Sequence, residues 1–144
     1  MDKKEVFNGV IAGAGTFFTY LCGFWDTALI VLISFMILDY ITGILGGMVY
    51  KDLSSEVGFK GLLRKFTIMV VLIVAVLLDR LLNDGTWVFR TLVCYFYIAN
   101  EGISILENAG RLGLPLPEKL LEALSQLKEG NKKASKETNK EIRN

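Results

Sequence analysis

At 144 residues the chain is long enough for one domain, and 52% of it is hydrophobic with a mean hydropathy of +0.43, more than a soluble domain of this size carries. The formal charge of +1 conceals segregation: between Thr67 and Asn100 the charged residues are Asp79, Arg80, Asp84 and Arg90, whereas the last fifteen residues hold five Lys or Arg against two Glu. Histidine is absent and Cys22 and Cys94 both sit in apolar runs, so the composition points away from histidine catalysis, a disulfide framework and a resident metal or cofactor.

Residues 6–25 form the first apolar run, rich in small and hydroxyl residues. The preceding Lys3 and Lys4 resemble the start of a secretory signal, but Gly9, Gly13 and Gly15 interrupt its core and Tyr20-Leu21 lacks the small residue wanted before Cys22, so the segment is read as retained. As a helix it would measure about 30 Å, enough either to cross a bilayer or to lie in its interface, and the two readings stay open. Gly9 and Gly13 have the spacing that lets two membrane helices approach closely.

Residues 27–50 make the first assured crossing, with Asp39 in its middle. On a helix Asp39, Thr42, Gly43, Gly46 and Gly47 share a narrow, smooth face suited to packing against a neighbour. Residues 51–65 read as a polar connector, a short amphipathic loop or the start of a helix, in which Lys60, Arg64 and Lys65 can lie at a membrane surface. The run at 66–82 is the most apolar; its β-branched content would suit a strand, but its length favours a third spanning helix. Asn83-Asp84-Gly85 is a turn signal, and 86–108 reads as the last crossing. Asp79 and Arg90 flank that turn, either as an interface charge pair or, the simpler expectation, each reaching separately into water.

The stretch NEGISILENAGRLGLPLP, 100–117, leads out of hydrocarbon into a charged tail. Asn100, Ser104, Glu107 and Asn108 fall on one helix face and, with Glu101, make a polar stripe whose plainest purpose is helix assembly, since a carboxylate inside a bilayer is costly unless paired or wet. Gly110 and Gly113 then break the helix, Pro115 and Pro117 follow, and 117–129 reads as an amphipathic helix with Leu120, Leu121, Leu124 and Leu127 on one side. From 130 to 144 the chain is polar, lysine-rich and expected to be a disordered tail; lacking interleaved aromatics, it suits anionic lipid better than nucleic acid.

The chain is therefore expected to be an all-α integral membrane protein: one membrane domain over 1–129 with three to four transmembrane helices, a C-terminal amphipathic helix, and the basic tail. With four crossings, Lys3 and Lys4, the connector's Lys51, Lys60, Arg64 and Lys65, and the eight basic residues after Asn108 all fall on one side, which the positive-inside rule makes cytoplasmic, with both termini inside. No P-loop, dinucleotide glycine pattern or serine with a plausible base is present, and Glu101 and Glu107, six apart, fall on different sides of a helix, so no catalytic role is expected.

Asp39, Thr42 and Gly43, then Ser55 with Gly58, Gly61 and Lys65, Asp79, and above all the Asn100-Glu101, Ser104, Glu107-Asn108, Gly113 and Pro117 pattern resemble the phage holin family, which includes toxin-secretion and phage-lysis holins of Gram-positive bacteria and their phages. The likeness spans roughly 27–127. The resemblance implies a protein that accumulates in the bacterial cytoplasmic membrane, associates with lipid and with its own copies, and at a set time opens lesions through which a muralytic enzyme (endolysin) or a toxin passes without necessary direct contact. The alternative is a small non-lytic channel, transporter subunit or scaffold in which Asp39 and Glu101 would be ion or proton sites.

Overall fold

The computed structural model describes residues 1–82, 84, 86–123, 125, 126, 129, 133, 136 and 140. Those residues form α1 (Lys3–Cys22), α2 (Thr27–Tyr50), α3 (Ser55–Leu82) and α4 (Val88–Arg111), with no strand among them. Residues 118–123 are again helical. Leu124, Leu127 and most of the expected tail from 130 onward, together with Asn83 and Gly85 of the expected turn, lie outside the described residues.

Local chemistry sets each boundary. Asp26 caps α2 by accepting from the Leu29 N–H at 3.0 Å, and α2 ends where Lys51 takes a left-handed φ of 55° and returns its N–H to Gly47. Ser54 Oγ accepts from the Val57 N–H at 3.2 Å and Glu56 stands in the first turn, so α3 begins at Ser55 rather than at 66, drawing the basic part of the connector into the helix. α4 runs three residues beyond the expected 108 and stops where Leu112 N–H reaches the Asn108 carbonyl and Gly113 turns left-handed at φ 84°.

Contacts at the helix ends show that successive helices alternate in direction. Tyr20 and Cys22 at the end of α1 meet Arg80 and Arg90, while Tyr50 and Asp52 at the far end of α2 meet Arg111. α2 and α4 therefore run parallel and make the most extensive interface, α3 packs on α4, and α1 touches α3 chiefly near its own C-terminus. The core is thin: Cys22, Leu29, Leu32, Met36, Ile68, Leu72 and Cys94.

Most large apolar side chains face outward, among them Ile30, Ile37, Ile41, Phe66, Val70, Val74, Leu77 and Leu81. Continuous outward apolar surface of this kind suits hydrocarbon and not water. α2 and α3 are the two described helices long and apolar enough to cross a membrane; their best windows have a mean hydropathy of 2.3 with 17% and 22% of residues buried. A core helix of a soluble protein would be mostly covered. Among the described residues the fold is all-helical, with two helices fit to cross a membrane.

Candidate functional site

Two polar layers cross this apolar bundle. The first lies where α1 turns into α2 and α4 begins. Arg90 is 1% exposed, and its guanidinium forks onto both Asp26 oxygens at 2.9 and 3.0 Å while donating to the Cys22 carbonyl at 2.7 Å and the Phe24 carbonyl at 2.9 Å. The Phe24 ring covers it at 4.2 Å. These hydrogen bonds from Arg90 hold the Asp26 carboxyl below its ordinary value, against the opposing effect of burial. Gly23 makes the arrangement possible: its φ of 94° favours glycine, and a Cβ there would lie 2.9 Å from Arg90 Nε.

Asp79, fully buried on α3, accepts from the backbone N–H groups of Phe89 at 2.9 Å and Arg90 at 2.7 Å, capping the start of α4 from outside that helix. Asp79 and Arg90 do meet, but through the backbone of Arg90, whose side chain is engaged by Asp26. The expectation that each reaches separately into water is corrected: both are buried, because unpaired N–H groups at the start of α4 and carbonyls at the end of α1 offer them partners.

The second layer joins the three helices α2, α3 and α4. Lys65 Nζ donates to Asp39 Oδ2 at 2.6 Å and to Glu101 Oε2 at 2.5 Å, with the three side chains 12%, 17% and 7% exposed. Asn108 Nδ2 donates to Asp39 Oδ1 at 3.1 Å and to Thr42 Oγ1 at 3.0 Å, and Thr42 Oγ1 donates back to the Leu38 carbonyl at 2.8 Å. One cation is thus shared by two carboxylates. Separating the helices in hydrocarbon would strand all three charges, so the cluster ties the packing of α2, α3 and α4 together.

Beside the cluster a cavity of about 330 Å³ opens between α3 and α4, lined by Arg64, Tyr97, Asn100, Glu101, Ser104 and Glu107 among others. The expected stripe therefore divides: Asn108 and Glu101 turn into the bundle, and Asn100, Ser104 and exposed Glu107 face the cavity. Glu101 and Glu107 both border it despite their spacing, since six residues leave them about 120° apart on the helix and the cavity is wide.

The glycine faces also separate. Gly9 and Gly13 are exposed with open space around them, whereas Gly46 and Gly47 are buried, and a Cβ at Gly47 would come within 3.1 Å of Leu53. Gly43 lies 3.7 Å, measured from an added Cβ, from the Asn108 amide, so it gives room for that side chain. Pro117 is exposed, and its carbonyl accepts from Leu120 and Leu121 at the start of the 118–123 helical stretch. Among the described residues no group of three or more His, Cys, Asp or Glu is placed to hold a metal.

Sequence reasoning did not single out Asp26, Gly23 or the pairing role of Lys65. The signals were present: Asp26 stands immediately before an apolar run, as an N-cap does, and two carboxylates inside apolar segments require a nearby cation.

No solved structure matches the chain. A 14.9 kDa protein of Clostridium perfringens described as uncharacterized, from the nagH 3' region, is 57% identical over 85% of this chain and 92% of its own length. An uncharacterized protein of Listeria monocytogenes is 42% identical over 76% of this chain and 78% of its own. A probable holin of Bacillus phage phi105 is 35% identical over 66% of this chain and 70% of its own. Residues 16–129, from the end of α1 past the second polar layer, match the bacteriophage holin family, a family of membrane proteins to which this chain belongs.

Proposed function

We propose that the protein is a working holin: it crosses the bacterial cytoplasmic membrane four times with both termini in the cytoplasm, associates with further copies, and opens lesions that pass a cell-wall hydrolase or a toxin. Family membership and the phage relative support the reading, and the observation that carries it is the Lys65–Asp39–Glu101 cluster within an outwardly apolar bundle. Such a cluster is tolerated while the helices stay packed, and it becomes easier to hydrate once they part around water. The alternation of helix directions and the docking of the end of α1 against the Arg80 and Arg90 layer support α1 as a fourth span. Residues 1–129 form the membrane unit; exposed Leu120 and Leu121 suit a helix lying on the inner surface ahead of a basic tail.

The test is inducible expression in a bacterium with and without a cytoplasmic muralytic enzyme. Abrupt lysis that needs the enzyme is the expected result; slow depolarisation with no enzyme release favours the small-channel reading. In the same assay Glu101→Gln and Asp39→Asn are expected to shift the time of lysis, and unchanged timing removes the cluster from the mechanism.

A further inference from the structure

The two flanks of the bundle differ in character. Between α2 and α3 runs an apolar groove of about 520 Å³ lined by residues such as Ile33, Ile37, Leu62 and Phe66. Between α3 and α4 the cavity of about 330 Å³ instead presents a guanidinium from Arg64, an amide from Asn100, a hydroxyl from Ser104 and carboxylates from Glu101 and Glu107. Acyl chains suit the first and cannot satisfy the second.

Depth along α4 gives this difference a direction. Arg90 belongs to the layer at the turns, and with a rise of about 1.5 Å per residue Glu101 lies about 16 Å from it, near the midplane of a hydrocarbon core about 30 Å thick. Ser104 lies about 21 Å and Glu107 about 25 Å away, approaching the other interface. Deeper on the cavity-facing side of α4 stand half-buried Val93 and Phe96, and on α3 the lining residues Arg64 and Ile68 are followed at helical spacing by buried Leu72 and Ala75. The polar lining therefore runs from one membrane face to the middle of the bilayer and stops at an apolar barrier.

We infer that the α3–α4 cavity is an aqueous half-path, open in the resting protein on the side of the α2–α3 turn and ending at the Lys65–Asp39–Glu101 cluster. Its volume accommodates on the order of ten water molecules at about 30 Å³ each. Water in it hydrates the charges of the cluster from one side, which makes them bearable at mid-depth before any lesion forms. The inference goes beyond lesion formation and holds whether or not copies assemble.

The test is side-selective labelling of single-cysteine variants of the full chain in sealed membrane vesicles of both orientations, using a membrane-impermeant methanethiosulfonate. The parent chain, whose Cys22 and Cys94 are fully buried, serves as the blank. Ser55→Cys, beside the α2–α3 turn, marks the open side. Ser104→Cys and Asn100→Cys are expected to react from the Ser55 side only, while Val93→Cys and Ile37→Cys react from neither. Ser104→Cys and Asn100→Cys unreactive from both sides would show the cavity dry and overturn the inference. Reaction from the opposite side, or labelling of Val93→Cys, would equally overturn it by removing the barrier. Vesicles that retain an entrapped dye throughout show that the reading comes from the resting protein, so failure of the proposed lesion and failure of the half-path are told apart.

Discussion

Lys65 holds two carboxylates at once, and the energetics of the site turn on that shared cation. Replacing it with methionine leaves Asp39 and Glu101 facing each other without their partner; breaking one side of a buried ion pair costs about 3–5 kcal/mol. Lys65→Met is therefore expected to lower the midpoint of denaturant unfolding in micelles sharply, and the triple change Asp39→Asn, Lys65→Met, Glu101→Gln to recover most of the loss. A triple variant as unstable as the single one would show that lost packing, not stranded charge, sets the effect. Asp26 offers a second test, through pH. Its carboxyl titrates lower in the folded protein than the ordinary 3.8, so it contributes stability that is complete above that value and is lost as pH falls through the lower folded one. Asp26→Asn is expected to flatten the loss of stability as pH falls below the ordinary carboxylate value. An acid transition unchanged by that substitution would assign it to other carboxylates.

At the scale of elements, the start of α4 depends on a residue from α3. Asp79→Ala removes the acceptor of the Phe89 and Arg90 N–H groups, and loss of a carboxylate cap costs about 1–2 kcal/mol. Hydrogen exchange at those two amides is expected to quicken more than at the middle of α4; uniform exchange along the helix would contradict the capping role. Gly23→Ala, strained at a φ of 94° and crowding Arg90, is expected to destabilise by about 1–3 kcal/mol by the same unfolding measurement. How legible these elements were varied for physical reasons. α2 was readable to the residue because an uninterrupted apolar run has sharp ends. The start of α3 was not, since Lys60, Arg64 and Lys65 read as surface charge and only the modest Ser54 cap marked the boundary. Asp39 and Glu101 stood out as costly groups in apolar surroundings, but their common partner lies 26 and 36 residues away in the chain, and the Asp26–Arg90 pair spans 64. Such pairings depend on how helices pack, which hydrophobic periodicity does not encode.

At the scale of the whole molecule, apolar surface is turned outward and charge is held inside, the reverse of a soluble bundle. The sequence conveyed this inversion through its long apolar runs and lone carboxylates; what it could not convey was that the polar stripe on α4 splits between a packed cluster and an open cavity. On the proposed reading, the inversion lets copies reside in a bilayer while packed, and parting the helices favours the entry of water. The most direct measurement of the proposed lesion is release from vesicles reconstituted with increasing densities of the protein and loaded with both a small dye and a folded muralytic enzyme. The account predicts a threshold density above which dye and active enzyme escape together. Escape of the dye alone at every density would contradict it.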